Sequence, residues 1–342
     1  HLGIDACSLE NDDLAAHGRV ALHSNSGKPS IDANVAVTRG KIGQLDAYWP
    51  EAIMKESVKS WLRRGLTGGE IVDGRFMMRG DMDYFPFRNG RGRFEAVAHV
   101  SDASIDFRDD WPAVQGVDGT ARFVAAGMDV EARQGSIGGV TARSARAVIE
   151  DFKRPVLEIR YEADNTLPEY LDFLQQTPLR EQINVDLSPF GFAGPASTSG
   201  AITVPLGDTP GELSVDGRVA LDGARFNYPE RDITIDAITG TLTYSEKGFS
   251  GTGLQATYRE QPARLNLEAQ ADKREKFRAE MRGVFDVTAI IPEFLRDDFQ
   301  VLNKVLGACA WDVALVVEPV PGTENNEASL RIDSLLEGIT MD

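Results

Sequence analysis

Metal chemistry in a protein needs histidines, cysteines or carboxylates at spacings that bring them together. The chain has 342 residues, with four histidines and two cysteines, and none of them has the spacing of a metal site. His17 and His23 are six residues apart in a strand-like stretch. We interpret them, with His1 and His99, as solvated loop or strand residues. The sequence therefore predicts no metal and no cofactor.

Catalytic arrangements are equally poorly supported. Asp109–Asp110 and Asp297–Asp298 are adjacent carboxylates, but sequence neighbours point apart and make poor acid–base pairs. The glycines of segment 248–253 are not followed by the basic residue of a phosphate-binding loop. Ser188 and Ser199 lack the sequence pattern of a nucleophile elbow. We therefore expect no enzymatic activity.

The most informative pattern is a repeat. The motif Pro-Glu-x-(Ile/Leu) begins at Pro50, Pro168 and Pro292, at intervals of 118 and 124 residues, and a second similarity recurs after 121 residues. Such a period is typical of a supersecondary unit that stacks along the chain. We expect segments 93–123 and 214–244 to form equivalent strands. The matched pairs are Ala103 with Ala224, Phe107 with Tyr228, and Gly119 with Gly240.

Each Pro-Glu motif predicts the start of a short helix, because proline fits the first turn and glutamate favours its positive end. The third helix is expected over about 290–305. Between helices, apolar and polar residues alternate with the period of half-buried strands, as in Ile31–Thr38. Turn-forming pairs suggest five or six strands per unit, each of about 5–6 residues, although some pairs are alternatively bulges inside strands. These pairs are Ser26-Gly27, Asp73-Gly74, Asn89-Gly90, Asp118-Gly119, Asp216-Gly217, Asp222-Gly223 and Lys247-Gly248.

Composition limits the possible partners. A net charge of −17 disfavours nucleic acid and the surface of an anionic membrane. No segment approaches the roughly 18 apolar residues of a membrane-spanning helix. Cys7 and Cys309 define no disulfide framework. Since no signal peptide precedes His1 and no closing element precedes Asp342, we interpret the sequence as an internal piece of a longer protein.

The one-sided apolar strands are compatible with two architectures. Closed β-sandwiches are the common solution, and composition alone favours them. Two features favour an open groove instead. The unit is long yet has one helix, and its apolar face is rich in Ala, Val and Ile, which suit mobile alkyl chains. A scaffold with dry sandwich cores and a conduit for lipid therefore both remain hypotheses.

Several short stretches, in order along most of the chain, resemble one protein family. They are Tyr48-Trp49-Pro50, Ser60-Trp61-Leu62, Tyr84-Phe85-Pro86-Phe87, Trp111-Pro112, residues 135–140, Thr177-Pro178-Leu179, residues 202–206 and residues 240–244. The sequence is similar to the YhdP-like branch of the AsmA-like proteins of Gram-negative envelopes, within the bridge-like lipid-transfer proteins. Gly338 to Asp342 resembles the start of a family segment that continues.

This resemblance implies a mainly β fold: an elongated, strongly curved antiparallel sheet of repeated β-groove units, with one short helix per unit. The implied division is a partial groove unit over 1–48, groove units over 49–166 and 167–290, and a truncated further unit over 291–342. The resemblance also implies a periplasmic body, an inner-membrane anchor elsewhere in the longer protein, and transport of phospholipid towards the outer membrane. No nucleic acid is expected to bind.

In the groove interpretation, alternate apolar residues line the lipid path. They are Ile31, Val35, Phe94, Val100, Ile105, Phe107, Leu157, Ile159, Ile202, Val204, Val215, Val219, Phe226, Ile233, Ile235, Leu242, Leu265 and Leu267. Alternation places another set on the opposite, wetted face: Asp232, Thr234, Asp236, Thr241 and Asn266. An Ile235→Asp change would then stop lipid passage in an open trough but unfold a closed sandwich.

Overall fold

Strands dominate the structure, a computed structural model that describes residues 2–25, 28–48, 56–181, 190–229, 232–270, 276–290, 304–319 and 326–341. Strand accounts for 69% and helix for 12%, which confirms the prediction of a mainly β chain with few helices. The chain forms two compact units. The first comprises His1–Asp164, Asp172–Pro178 and Ser199–Val215, and the second comprises Asn165–Leu171, Leu179–Thr198 and Asp216–Asp342. The four-part division made from the sequence stays a prediction.

Among the described residues up to 166, the elements are nine strands, one helix and two 3₁₀ turns. The strands are β1 (Leu2–Glu10), β2 (Leu14–Asn25), β3 (Lys28–Lys41), β4 (Leu66–Asp81), β5 (Gly92–Ile105), β6 (Val114–Val124), β7 (Gly127–Ile137), β8 (Val140–Ile149) and β9 (Val156–Thr166). Helix α1 spans Glu56–Gly65, and the 3₁₀ turns span Ile42–Tyr48 and Met82–Tyr84. From β1 to β9, each strand pairs antiparallel with the next.

The later elements repeat this arrangement. They are α2 (Leu167–Gln175), a 3₁₀ turn (Pro178–Glu181), β10 (Gly191–Ala193), β11 (Pro195–Pro205), β12 (Ser214–Tyr228), β13 (Ile233–Ser245), β14 (Gly248–Tyr258), β15 (Gln261–Gln270), β16 (Phe277–Asp286), α3 (Val287–Ile290), β17 (Val305–Leu306), β18 (Ala308–Pro319), β19 (Asn326–Ser334) and β20 (Thr340–Met341). Strands β12 to β16 pair antiparallel in order, followed by β18 and β19.

The predicted strand length of about 5–6 residues is wrong. Strand β4 has 16 residues and β12 has 15. The error came from Asp-Gly pairs, because glycine permits a bulge as readily as a turn. Four predicted turns lie inside strands, most of them at register shifts: Asp73-Gly74, Asp118-Gly119, Asp216-Gly217 and Asp222-Gly223. Lys247-Gly248 is a hairpin turn and Asn89-Gly90 lies in the β4–β5 connection, whereas Ser26-Gly27 lies outside the described residues.

In each unit the two ends of the strands form two rims that differ in their connections. In the first unit, β3 ends at an edge where the chain continues into a 3₁₀ turn and α1, and β5 and β7 end there too. In the second unit, β12, β14 and β16 end at one edge, and α3 follows β16. We call the side of each unit where these strands end its helix rim, and the side where the opposite strand ends lie its turn rim.

A small backbone motif repeats three times and supports the sequence repeat. Gly69, Gly194 and Gly307 each follow a helix and have φ values of 96°, 104° and 113°. Each packs against a pair of later residues, and the first residue of each pair also has positive φ. The pairs are Asp102–Ala103, Gly223–Ala224 and Gly338–Ile339. Ala103 and Ala224, matched from the sequence, are buried on the same side of equivalent bulges.

The predicted helix at Pro168 is confirmed. Pro168 is the second residue of α2, as the Pro-Glu motif predicts, and Thr166 and Glu169 form the expected cap, with Thr166 N donating to Glu169 Oε2 at 2.7 Å. The motifs at Pro50 and Pro292 lie outside the described residues. Helix α3 already begins at Val287, so the Pro-Glu motif and the structural start of a repeat do not coincide.

Candidate functional site

The first unit presents a continuous apolar face across seven strands. Directly paired residues of antiparallel strands share a face, so the register defines rows that cross the sheet. One row runs from β3 to β9 through Val35, Phe76, Ala96, Phe123, Met128, Ile149 and Leu157. The next row towards the helix rim contains Val37, Gly74, Ala98, Ala121, Val130, Ala147 and Ile159.

The degree of burial of these side chains distinguishes an open apolar floor from the core of a β-sandwich. Every member of the second row is half-buried, and so is every member of the first except Ile149. Side chains between two packed sheets would be buried, because sandwich interiors interdigitate. Buried clusters lie instead towards the strand ends, with Ala33, Met78 and Phe87 near the turn rim and Ile42, Ala103 and Val117 near the helix rim.

The opposite face of the same strands is ionic. Arg122 lies 2.7 Å from Glu95, and Arg146 lies 2.7 Å from Asp129. Hydrogen bonds from Arg93, and then from Arg122, lower the pKa of the Glu95 carboxyl below its usual value. Such exposed pairs contribute little stability, but they keep this face wetted. These strands therefore have one ionic face and one apolar face.

Histidines and carboxylates in the described part of the chain form no reactive centre. His99 is exposed on the ionic face, with Nδ1 2.7 Å from Asp73. In the β5–β6 connection, Asp109 lies beside Arg64 of α1 and Asp110 lies beside Arg108. Among the described residues, no group of three or more His, Cys, Asp or Glu is placed to hold a metal ion.

The second unit combines an apolar floor with a buried cluster. One row contains Gly217, Tyr244, Phe249, Ala269, Phe277 and Val317, and the next contains Gly251, Leu267, Ala279, Leu315 and Leu330. Most of these residues are half-buried, and Leu330 is 59% exposed. Towards the helix rim the face closes, since Leu254 is 1% exposed and Phe285 is fully buried.

A connection of the first unit folds over the turn-rim end of its apolar face. We call residues 82–91, between β4 and β5, the strap. Phe87 of the strap is 4% exposed and lies against Gly92, while the Phe85 ring is 5.7 Å from that of Phe94. Arg88 reaches Asp151, between β8 and β9, through two hydrogen bonds of 2.6 and 2.8 Å. The strap therefore spans the rim from β4 to β9.

We predict that Arg88→Ala loosens the strap without unfolding the unit. Hydrogen bonds from Arg88, and then from the Lys153 amide, lower the pKa of Asp151 to about 2. Because this pKa is depressed from 3.8, the ion pair is intact at neutral pH and is lost as the pH falls from about 4 towards 2. An exposed pair of this kind has a modest effect, so amide exchange in the strap should accelerate about two- to fivefold at pH 7.

The control for this experiment is Arg79→Ala, which removes an exposed arginine that pairs with Asp32 outside the strap. It should leave exchange in the strap unchanged. Unchanged exchange in Arg88→Ala would mean that the aromatic contacts alone hold the strap.

Comparison with known proteins shows the family of the chain. The whole chain, residues 1–342, matches the model of the YhdP protein family. The chain belongs to the YhdP family. A curated relative, the intermembrane phospholipid transporter YhdP of Escherichia coli (strain K12), is 22% identical over 317 residues, which cover 90% of this chain and 24% of the relative. The chain thus spans about a quarter of that relative's length. No solved structure matches the chain.

In this YhdP-family chain, the predicted lining residues of the first unit divide into three groups. Val35, Leu157 and Ile159 lie on the cross-strand rows, whereas Val100 packs against the helix-rim cluster. Ile31 and Phe94 pack against the turn-rim cluster, and Ile105 is the last residue of β5. Phe107 follows β5, so its predicted strand position is wrong; its ring lies 6.0 Å from that of Trp111 at the helix rim.

The later predicted residues are also apolar and largely half-buried. Ile202 and Val204 lie in β11 and Val215 lies in β12. Leu265 belongs to the buried cluster of the second unit, and six others pack against that cluster: Val219, Phe226, Ile233, Ile235, Leu242 and Leu267. On the opposite face, Thr234 and Thr241 are exposed as predicted, whereas Asp232 lies in the turn before β13.

The predicted set of lining residues left out the alanines of the floor, although the sequence indicated an apolar face rich in alanine, and it left out the strap. Ala98, Ala121 and Ala147 carry a weak hydrophobic signal one by one, although each alternates with a polar or outward-facing residue. The strap's Tyr84-Phe85-Pro86-Phe87 was noted only as a family similarity. None of the described helices is long and apolar enough to cross a membrane.

Proposed function

We propose that this chain carries phospholipid along the apolar faces of its sheets, as part of a periplasmic conduit between the inner and outer membranes, without a chemical step. The observation that carries the proposal is the half-buried apolar face of the first unit, backed by an ionic face on the same strands. The family supports the cargo, because the Escherichia coli relative is by name a phospholipid transporter.

The energetics of such a path fit its residues. An acyl chain gains about 0.8 kcal/mol for each CH₂ group removed from water. A head group that stays at the edge of the sheet keeps its hydration, so its transfer costs little. The floor row of Gly74, Ala98, Ala121 and Ala147 offers few deep pockets, and a lipid on it can move from strand to strand.

The location of the conduit is proposed from the relationship alone. An intermembrane transporter must cross the space between two membranes, which for a Gram-negative relative is the periplasm. We propose that an inner-membrane anchor lies elsewhere in the longer protein. The acidic chain, with a net charge of −17, is suited to remaining in the aqueous space.

A second candidate function is an envelope scaffold with closed cores. It is favoured by the second unit, where thirteen buried residues, including Leu254, Phe285 and Trp311, form one cluster. If such packing extended over the whole face, no acyl chain could enter. The two candidates therefore differ in whether the purified chain holds lipid.

We predict that phospholipid co-purifies with the chain. The chain would be purified in mild detergent, extracted with organic solvent and analysed by mass spectrometry. A conduit should yield at least about one phospholipid per chain, because the exposed apolar floor is stabilised by acyl contacts. A matched soluble β protein handled identically would give the background. Lipid at background level would favour the scaffold.

A further inference from the structure

In the second unit, burial of the apolar face increases from the turn rim to the helix rim along both β14 and β18. On β14, Phe249 at the turn rim is half-buried, whereas Leu254 is 1% and Tyr258 7% exposed. On β18, Val317 and Leu315 are half-buried, whereas Trp311 is 8% and Cys309 3% exposed. The apolar face is thus accessible towards the turn rim and filled by protein towards the helix rim.

Specific contacts hold the filled end together. The rings of Tyr258 and Phe285 meet edge to face at 5.7 Å. Trp311 Nε1 donates to the Phe285 carbonyl at 3.2 Å, and Tyr258 Oη donates to the Ala289 carbonyl of α3 at 3.3 Å. Buried aromatic residues with satisfied polar groups make a fixed structure. We call this group, Tyr258, Phe285, Ala289 and Trp311, the wall.

The accessible stretch has the length of one acyl chain. From Val313, next to the wall, to Val317 at the turn rim there are four residue rises, about 13 Å in total. One leaflet of a bilayer occupies about half of the ~30 Å hydrocarbon core, or about 15 Å. Acyl chains laid parallel to the strands would therefore fill the stretch between the wall and the turn rim.

We propose that lipid in the second unit is oriented, with the methyl ends of its acyl chains against the wall and its phosphate head at the turn rim. This inference rests on the proposed conduit function and goes beyond it by defining which edge of the sheet the heads follow. The wall contains no accessible space for a hydrated head, and burying a charged phosphate there would be costly. Lys247 at the turn rim is exposed, so a head group there would stay in water beside a positive charge.

Photo-cross-linking with two lipids tests the orientation. The whole chain would be loaded with phosphatidylcholine that carries a diazirine either at the acyl terminus or in the head group, and labelled residues would be mapped by mass spectrometry. The acyl-terminal probe should label Met281 and Val313 beside the wall. The head-group probe should label Lys247, Lys276 and their neighbours. Each probe is expected to favour its own end at least about fivefold.

The possible outcomes separate this inference from the function on which it rests. Labelling with the two ends exchanged, or equal labelling of both ends by both probes, would overturn the orientation while leaving the conduit intact. A chain that binds neither probe and co-purifies with no lipid would overturn the conduit and the orientation together.

Discussion

Replacing Ala98 by Asp should remove lipid from the floor of the first unit and leave the unit folded. Ala98 is half-buried at the middle of the small-residue row, paired with Gly74 and Ala121. An aspartate fits there without displacing a large side chain, and in the empty protein its carboxylate can reach water. A bound acyl chain would bury that charge at a cost of several kcal/mol. Since about 1.4 kcal/mol is a factor of ten, lipid occupancy should fall at least about tenfold.

The neighbouring residue supplies the control. Val97 lies on the ionic face, paired with Arg75 and Arg122, so Val97→Asp adds the same charge in a favourable setting. It should change neither thermal unfolding nor lipid content. Both variants would be compared by calorimetry and by mass spectrometry of extracted lipid. If Ala98→Asp unfolds the unit, the face is a closed core; if it stays folded and fully loaded, lipid does not lie on this row.

The structure shows why Ala98 tests the floor better than Ile235. Ile235 pairs with Phe226 and Tyr258 near the helix rim and packs against the buried cluster of the second unit. An aspartate at Ile235 would combine the loss of core packing with any effect on lipid. The sequence could not reveal this difference, because both residues occupy apolar positions of an alternating strand.

The alternation of apolar and polar residues predicted which residues share a face, but the sequence did not predict where the strands end. It placed Val35, Leu157 and Ile159 on one face correctly, since a period of two follows from backbone geometry alone. Strand ends failed because Asp-Gly is compatible with both a turn and a bulge. Which of the two forms depends on the register with the neighbouring strand, as at Asp222–Ala224, and register is a long-range property.

The repeat was recognised from a motif that is not its structural origin. Pro168 is the second residue of α2, but α3 starts at Val287, five residues before Pro292. The repeated geometry lies instead at three glycines, each with positive φ and each packed against a later pair of residues. A lone glycine carries no distinctive signal in a sequence with 33 of them, so the motif of Gly69, Gly194 and Gly307 became visible only in the fold.

Alanine substitutions at the glycines of this motif have the largest expected effect on stability. At Gly69, φ is 96° and a methyl group would lie 2.4 Å from Ala103 Cα. At Gly194, φ is 104° and a methyl group would lie 2.8 Å from Ala224 Cα. An alanine at either site adds backbone strain and a clash with backbone that cannot rotate away. We expect Gly69→Ala and Gly194→Ala each to lower the free energy of unfolding by at least about 3 kcal/mol.

The repeat also provides a matched control for this prediction. Gly116 has φ 63° with open space around it, and its equivalent one repeat later is Ala237, with φ 51°. An alanine is thus already accommodated at this position of the fold, and Gly116→Ala should cost no more than about 1 kcal/mol. Urea denaturation of the three variants would compare them directly. If Gly69→Ala and Gly194→Ala cost no more than Gly116→Ala, close backbone packing at the glycine is not what the repeats share. A loss at both, several times that of the control, would show that the two units depend on the same contact where the chain returns from a helix to the sheet.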